Sequence, residues 1–495
     1  MSGRIFEMIV VTLLFGGVIY LLVTYILPTF KNRRHGCIPG PFPLPIIGNL
    51  HLFGKDIHKD LTSMSKIYGD IFAIYLGSNR KVIVSSAKAV KEILIEKGTH
   101  FAGRPDDNFK LYLGTMGNKD ILACDYGPQL KYLRKVFTRG LNLHGFNKKI
   151  IEGTVKKHAD AMVSCLAEQT GISINPTQYV HLNILNVLMN LVFNEESTFE
   201  DPLFLDILKA LRLLFSAIKP GPEDVFPWLR YFPNKNIRDV IEGSNIRNKI
   251  TYKFVEEHRA SYVPGIIRDV TDAMLAAEAE ELENGGGKMD HPSFMMLINE
   301  IFVAGVETTA TTIQWMLLFL AKWPEKQDKL RSELQKTDFE SLDTEKSSFL
   351  PYTFAAIHEA QRLGSVTPII THKATRDTSL SGYHIPKDTN FLLNFYAVMH
   401  DENVFENPDQ YIPERWINKS GEYEPNPSIL LPFGAGPRVC PGRQLASMVL
   451  FIFITKLVTN FFFEEMEGQE NSMDADMGLT ISPRDLKLRL TRITI

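Results

Sequence analysis

The sequence is poor in cysteine, with four among its 495 residues, at Cys37, Cys124, Cys165 and Cys440. No two of them form a CxxC pair, so neither a disulfide framework nor a zinc site is indicated. Each cysteine is by default a small buried hydrophobe. Charge of one sign is also lacking, because the formal net charge is only -3. This balance does not point to nucleic acid as a partner.

The chain also lacks a glycine pattern of the GxGxxG kind, which excludes a flavin or dinucleotide site of that type. It shows no internal repeat and no second interdomain linker. Short β-rich runs (Ile71–Leu76 and Lys81–Val84) precede a chain that is mostly helical in pattern from Ala87 onward. A second β-rich region follows around Thr371–Leu393. The pattern therefore predicts one large, mainly α domain with small β-sheets.

The N-terminal run Met8–Leu27 contains no charged residue. As a helix, 20 such residues span about 30 Å, the thickness of a bilayer's hydrocarbon core. The alternative is a cleaved signal peptide, which has a shorter apolar region and a small-residue cleavage site. Here the run ends at Leu27-Pro28, and basic residues follow it (Lys31, Arg33 and Arg34). We therefore expect a retained transmembrane helix with those basic residues in the cytosol.

These features divide the chain into three predicted parts. Residues 1–30 form the membrane anchor, and residues 31–48 form a basic and proline-rich hinge. The prolines between Pro39 and Pro45 exclude a helix and favour an extended, stiff connector. Residues 49–495 form the main domain.

One cysteine lies in a context unlike the others. The segment Phe433–Gly442 reads FGAGPRVCPG, which places three glycines and two prolines around Cys440 and predicts a tight loop. The next segment, Gln444–Asn460, is apolar and helical in pattern, so the positive end of a helix dipole favours a thiolate at Cys440. Arg438 adds positive charge. Such a thiolate suits a thiolate-ligated iron; the alternative is a structural turn with an incidental cysteine.

This segment resembles the haem-binding loop of the cytochrome P450 family, Phe-x-x-Gly-x-Arg-x-Cys-x-Gly, at every specified position. The resemblance implies haem b (iron protoporphyrin IX) as the cofactor and the Cys440 thiolate as the metal ligand. It further implies that Arg438 contacts a haem propionate and that Phe433 lies near the ligand. Gly434 and Gly442 belong to the same cofactor-binding loop.

A glutamate and an arginine lie three residues apart, at Glu359 and Arg362, and so face the same way on a helix. Alone, this spacing describes any solvated pair on a helix surface. It resembles the family's Glu-x-x-Arg element, whose downstream partner is present in the segment Pro413–Trp416. The resemblance implies that Arg415 joins the pair and that these residues serve folding rather than chemistry.

The segment Ala304–Thr309 reads AGVETT inside a long helical segment from about Pro292 to Lys322. Spacing puts small and hydroxyl side chains on one face (Ile301, Ala304, Gly305, Thr308 and Thr312), where a flat ligand has access to the backbone. The alternative is a contact between two helices through small residues. The segment resembles the family's oxygen-activating groove. The resemblance implies that Ala304 borders the haem and that Glu307 and Thr308 supply protons.

Two further haem contacts follow from the resemblance. Arg134 is expected to pair with a propionate, although Leu130 stands where the family usually has a tryptophan that makes a second contact. His372 resembles another propionate contact. The basic residues near Arg134 (Lys131, Lys135 and Arg139) are either solvated surface or a docking face for an acidic electron donor.

The resemblance runs from the anchor to the C-terminus and is typical of the microsomal branch. The segments Val225–Leu229 and Tyr231–Lys235 are most similar to steroid 17-alpha-hydroxylases and aryl-hydrocarbon hydroxylases. This implies a monooxygenase that inserts one oxygen atom into a lipophilic small molecule, steroid-like or aromatic. A separate NADPH–cytochrome reductase would supply the electrons. The implied location is the endoplasmic reticulum membrane, with the catalytic domain facing the cytosol.

Two other functions remain open at this point. A haem-thiolate isomerase or lyase needs neither oxygen nor a reductase, and such family members often lose the acid–threonine pair. A haem sensor or carrier would have no use for Glu307 and Thr308. The retained pair therefore favours monooxygenation. The substrate itself stays undetermined, because steroids, aromatic hydrocarbons and fatty acids all suit an apolar lining.

Overall fold

The computed structural model describes residues 2–21, 23, 38–143, 148–285, 287, 289–336, 350–426, 429–466, 468 and 471–493. The chain is mainly helical with small β-sheets, as the sequence predicts. The helices are α1 Ser2–Leu21, α2 Ile57–Tyr68, α3 Ala87–Lys91, α4 Phe109–Gly114, α5 Pro128–Leu143, α6 Lys148–Ala167, α7 Thr177–Phe193, α8 Pro202–Ala217, α9 Pro222–Val225, α10 Lys235–Ser261, α11 Val270–Glu283, α12 His291–Lys322, α13 Pro324–Leu334, α14 Pro351–Gly364, α15 Phe395–Met399 and α16 Arg443–Asn460. The strands are β1 Ile71–Leu76, β2 Asn79–Val84, β3 Ser173–Ile174, β4 Ile369–Lys373, β5 Thr378–Leu380, β6 Tyr383–Ile385, β7 Asn390–Asn394, β8 Phe461–Glu464, β9 Ala475–Met477, β10 Ile481–Pro483 and β11 Leu488–Arg492.

The first of two compact units comprises residues 1–107, 221–232 and 369–398. Its main sheet has the strand order β1-β2-β7-β4, with β2 and β7 parallel and the other pairs antiparallel. Both β-rich regions of the sequence contribute to this sheet, which confirms their prediction. A small core forms where α2 packs on the sheet, through Leu61, Phe72 and Ile83.

The proline-rich segment lies along strand β1 of the same unit. The Ala73 N–H donates to the Pro39 carbonyl at 2.7 Å, and the Asn49 N–H donates to the Tyr75 carbonyl at 2.7 Å. Gly40 lies so close to the Ala73 carbonyl that a β-carbon there would collide with it. Residues 38–48 of the predicted hinge therefore pack on the sheet, whereas residues 31–37 lie outside the described residues.

Helix α1 covers the first part of the predicted anchor, and its described apolar side chains are exposed. Most of the remainder of that run, beyond Leu21, lies outside the described residues. Judged by length and composition within the described chain, the helix long and apolar enough to span a membrane is α12, and most of it is buried in protein. The N-terminal apolar stretch Val10–Tyr20 is shorter. The membrane anchor therefore remains a prediction.

The second unit comprises residues 108–220, 233–368 and 399–495, and helix α12 runs through its two large hydrophobic clusters. The Asp290 side chain caps α12 by accepting from the Ser293 N–H at 2.8 Å, which satisfies one of the free donors of the first turn. Apolar residues surround the helix over most of its length, as expected of a buried helix. The predicted helical segments 292–322 and 444–460 are both confirmed, and α16 begins one residue earlier, at Arg443.

The Glu359 carboxylate is the centre of a buried network in this unit. It accepts two hydrogen bonds of 2.9 Å from Arg362, one of 3.0 Å from Arg415 Nε and one of 2.9 Å from Trp416 Nε1. The Ile412 N–H donates a further bond at 3.1 Å. Glu359 and Arg362 are fully buried. The structure thus confirms the predicted grouping of one acid with two arginines, and it serves to join α14 to the 412–416 segment.

Candidate functional site

The loop before α16 is closed on itself around Cys440. The Cys440 N–H donates to the Phe433 carbonyl at 2.9 Å. Gly434 and Gly436 have φ values of 65° and 66°, in the left-handed region that glycine adopts without steric cost. Helix α16 starts two residues after Pro441, with Gly442 as its N-cap. The predicted tight loop ahead of a helix N-terminus is confirmed.

The thiol of Cys440 has accessible surface, yet burial raises its pKa above the ordinary value. The Gly442 N–H and the positive charges of Arg134 and Arg443 act in the opposite direction and favour the thiolate. Arg134 and Arg443 thus supply positive charge near the thiol, and the expected contribution of Arg438 stays a prediction.

Arg438 and Arg134 both hold backbone carbonyls near the loop. Arg438 donates to the carbonyls of Ile121 at 3.0 Å and of Cys124 at 2.7 Å, and burial lowers its pKa to about 10. Arg134 donates from Nη2 to the Val439 carbonyl at 2.9 Å. One of the two guanidinium groups thus lies on the loop and the other on α5. They belong to the two arginines that are expected, from the sequence, to bind the propionates. Leu130, at the position of the family's tryptophan, is buried in the core.

The middle of α12 is open on one face. Most of α12 is buried, but Ala304 is exposed and Thr308 is half-buried. The Thr308 hydroxyl donates to the Ala304 carbonyl at 2.6 Å, one turn back along the helix. Gly305 faces another way, because a β-carbon there would lie 2.8 Å from Leu188 Cδ1 of α7. Ala304 and Thr308 therefore share the open face, whereas the predicted membership of Gly305 is wrong: it is a helix–helix contact.

Glu307 lies against α7 and meets a histidine that the sequence analysis did not single out. Its Oε2 is 3.2 Å from Nε2 of His181, whose Nδ1 is 2.8 Å from the Thr177 carbonyl. His181 is the one histidine of α7, a helix that is largely apolar and buried, and such a histidine usually has only a backbone partner. Helical spacing carries no information about a partner 126 positions away in the chain.

Glu300, seven residues before Glu307 on α12, is a second residue that the sequence analysis missed. Its carboxylate accepts the N–H groups of Ile121 at 2.9 Å and of Leu122 at 2.8 Å. Burial and the negative charge of Asp120 raise its pKa well above the usual range. Its field also acts on Cys440. An acid within an apolar helical run was the signal that could have identified it.

The remaining predicted residues lie as follows. His372, on β4 of the first unit, is buried with Nδ1 2.7 Å from the Phe101 carbonyl. Lys135 pairs with Glu281 of α11 at 2.6 Å, and Arg139 pairs with both Glu281 and Glu280. The positive charges of these two basic residues are thus largely neutralised by acidic partners. A docking face for an acidic electron donor would need positive charge that is not neutralised in this way. Lys131 is exposed and lies 5.4 Å from the centre of the Tyr126 ring.

The residues present fit a haem b. A cysteine thiol is a soft ligand that suits iron, and arginine forks match the carboxylates of two propionates. Like Cys440, Glu300 has accessible surface while burial raises its pKa. Arg134 joins α5 to the loop through the Val439 carbonyl, and Arg438 of the loop and Glu300 of α12 both bind the backbone of Ile121, so the loop, α5 and α12 lie close together.

Comparison with known proteins agrees with this geometry. A family model described as Cytochrome P450 matches residues 38–490. The chain is 34% identical to a steroid 17-alpha-hydroxylase/17,20 lyase of Ictalurus punctatus over 462 residues, which cover 90% of each protein. It is 32% identical to human cytochrome P450 2C8 over 457 residues, 89% of this chain and 90% of the relative. It is 31% identical to human cytochrome P450 1B1 over 487 residues, 93% and 88% of the two.

These matches define an oxidoreductase of the monooxygenase class that binds haem b through a cysteine thiolate. The chain belongs to the cytochrome P450 family.

Proposed function

We propose that the protein inserts one atom of dioxygen into a lipophilic small molecule, steroid-like or aromatic, with electrons from a separate NADPH-dependent reductase. The observation that carries this proposal is the acid–alcohol pair Glu307-Thr308 beside the open face at Ala304. An isomerase, a lyase or a haem carrier has no use for a proton supply at that place. Oxygen insertion needs a proton supply there, because the second oxygen atom of dioxygen is reduced to water and this reduction consumes protons.

In this proposal Cys440 would ligate the haem iron, with Phe433, Gly434 and Gly442 completing its loop. Arg438 and Arg134 would hold the propionates, and His372 is a further candidate for that role. When bound, the haem supplies one-electron chemistry and the activation of dioxygen, which the thiolate's electron donation favours. Ala304 leaves room beside α12 for a planar group.

The chain's own contribution to the reaction is proton supply. The Thr308 hydroxyl now donates to the Ala304 carbonyl, and rotation about one side-chain bond releases it toward the open face. A hydroxyl both accepts and donates a proton. Thr308 can therefore pass on a proton that reaches it from the neighbouring Glu307 carboxyl. A positioned donor of this kind contributes about 10²–10⁴-fold to rate.

An apolar cavity between α7, α8, α10 and α12 supports a lipophilic substrate. Phe193, Leu211 and Phe302 are among its lining residues, and Arg247 is the charged one. Arg247 donates from Nη2 to the Gly114 carbonyl at 2.8 Å and to Asn248 Oδ1 at 2.9 Å. No carboxylate of the described residues forms an ion pair with it, and burial lowers its pKa to about 10. A buried cation in an apolar lining favours a substrate that presents one oxygen acceptor.

Several relatives carry the name of a steroid hydroxylase, which supports a steroid-like substrate. Human cytochrome P450 1B1 and 2C8 match over a similar length, so identity alone does not choose a compound. The expected preference for an oxygen acceptor is tested with pairs of steroids that differ only in a terminal keto oxygen. The spectral dissociation constants of the two members show which one binds more tightly. We expect Arg247→Met to remove the preference for the oxygenated member.

We further propose that residues 1–30 anchor the protein in the endoplasmic reticulum membrane, with the catalytic part in the cytosol. The uncharged run Met8–Leu27 and the basic residues after it support this location. A catalytic part in the cytosol has access to the NADPH–cytochrome reductase. In this proposal the reductase is a separate protein, because the sequence carries no GxGxxG fingerprint for a flavin or dinucleotide site.

The central test is the reduced carbon monoxide spectrum of Cys440→Ser. Serine is a harder and more basic ligand than the thiolate, so we expect the band typical of thiolate ligation to disappear. Cys165→Ser is the matched control, because Cys165 is a half-buried cysteine on α6, and it should keep the band. A retained band in Cys440→Ser would reject the ligand assignment. Product formation with reductase and NADPH then separates an oxygenase from an isomerase.

A further inference from the structure

Helix α7 packs on α12 at a fixed spacing beside Glu307. The Thr177 hydroxyl donates to Gln314 Oε1 at 3.1 Å, which ties the start of α7 to α12. Near its other end Leu188 fills the space in front of Gly305. His181 lies between these two contacts and reaches Glu307 with its Nε2. The helix packing therefore holds the histidine and the acid together.

The hydrogen bonds of His181 define its protonation. The Thr177 carbonyl can only accept, so Nδ1 of His181 must carry a hydrogen. Nε2 is then the nitrogen that gains or loses a proton, and it faces Glu307 Oε2 at 3.2 Å. A bond between these two atoms needs one proton, whether it resides on the imidazole or on the carboxyl.

We propose that His181 is a positioning residue for proton supply, which shares one proton with Glu307 and holds that carboxyl ready to pass the proton to Thr308. This inference rests on the proposed function. In the step, the proton moves from Nε2 of His181 to Oε2 of Glu307, leaving a neutral imidazole and a carboxylic acid. The acid then gives the proton to the Thr308 hydroxyl as that hydroxyl releases its own proton toward the open face, which leaves the alcohol neutral and Glu307 a carboxylate, and one proton taken up from solvent restores the pair.

The electrostatics of the site agree with a shared proton. Burial is the largest influence on His181 and lowers its pKa, but the hydrogen bond and the negative charge of Glu307 outweigh it. The Thr177 carbonyl acts in the same direction as Glu307, so the pKa of His181 is raised overall. No charged side chain of α6 or α11, within their described residues, adds to this effect, although both helices also pack on α7. His181 therefore keeps its proton to a higher pH than a free imidazole does.

Two substitutions separate the parts of this proposal. His181→Phe removes the hydrogen bond and the proton, whereas His181→Gln retains an N–H that reaches Glu307 but does not titrate. His158→Gln is the matched control, since His158 is buried on α6 and lies 3.6 Å from Glu196. Each full-length holoenzyme is assayed with reductase for product formed per NADPH consumed, from pH 6 to pH 9.

We expect His181→Phe to lower coupled turnover about tenfold, the loss typical of an orienting partner, with the same spectral dissociation constant for substrate. His181→Gln should recover most of the coupling but lose its dependence on pH. In the wild type, coupling should fall as pH rises through the raised pKa of His181. Wild-type coupling in His181→Phe, or an unchanged pH profile in His181→Gln, would overturn the proposal.

A second measurement does not depend on turnover. A double-mutant cycle of His181→Phe and Glu307→Leu in urea unfolding reports whether the two side chains interact. Each variant changes the equilibrium constant of unfolding by some factor. The factor for the double variant should differ by more than about twofold from the product of the factors for the two single variants. Multiplicative effects would overturn the pairing. If the wild type forms no product while this interaction is present, the proposed function fails and the His181–Glu307 pair stands.

Discussion

Glu359→Gln is the most direct test of what joins α14 to the 412–416 segment. The substitution retains the shape of the side chain but removes the charge that faces two arginines. Arg362, which is fully buried, donates two bonds of 2.9 Å to this carboxylate. An amide can accept through one oxygen only, so its NH₂ group would face a guanidinium donor. Removing one partner of a buried ion pair costs about 3–5 kcal/mol.

Glu414→Gln provides the comparison within the same stretch of chain. Glu414 pairs with Lys326 at 3.2 Å and with Lys329 at 2.9 Å, but its side chain is 34% exposed. An exposed pair contributes about 0–1 kcal/mol. Urea unfolding of the two holoenzymes, followed by circular dichroism and haem absorbance, gives both free energies. A cost below about 1 kcal/mol for Glu359→Gln would refute the reasoning that its charge is needed.

Three further predictions concern the reaction, the reductase and the membrane. Thr308→Ala should leave haem content unchanged but divert electrons to peroxide; an unchanged ratio of product to NADPH would count against its role. Lys131→Glu should slow reduction by the reductase at low salt and less so at high salt, with dithionite reduction unaffected; equal stopped-flow rates would reject docking there. Deleting residues 1–30 should release part of the protein from membranes while haem binding persists, and loss of haem would mean a larger role for that segment.

The choice of Lys131 follows from the structure. Lys135 lies one turn away on α5 and would have been the natural companion, but it holds Glu281, whose side chain is only 4% exposed. Reversing the charge of Lys135 would place two acids together and disturb the packing of α5 on α11. Lys131 has no ion-pair partner among the described residues and contacts only the Tyr126 ring, so its variant disturbs the fold less than a change at Lys135.

The sequence predicts the parts of the site that lie close together in the chain. The loop around Cys440 is defined by ten consecutive residues, and its glycines at 434 and 436 take the left-handed backbone that such a loop needs. The Glu359 network was predicted because its two halves each have a recognisable motif. In both cases, local geometry and a specific pattern carry the information.

The parts that the sequence does not predict depend on contacts between distant elements. Glu300 binds the 121–122 backbone across 179 residues, and His181 meets Glu307 across 126. The ion pairs of Lys135 and Arg139 could not be predicted for the same reason, since α11 supplies their partners. Spacing along a helix identifies a face but not the element that covers it.

The contact between Gly305 and Leu188 has a consequence for how this chain tolerates variation. A methyl group at position 305 would lie 2.8 Å from a leucine that is itself buried, so α7 and α12 would have to separate or Leu188 would have to find a new rotamer. Separation of the two helices would lengthen the distance between His181 and Glu307 on the same interface. We therefore expect Gly305→Ala to lower the share of electrons that becomes product without introducing or removing any ionisable group.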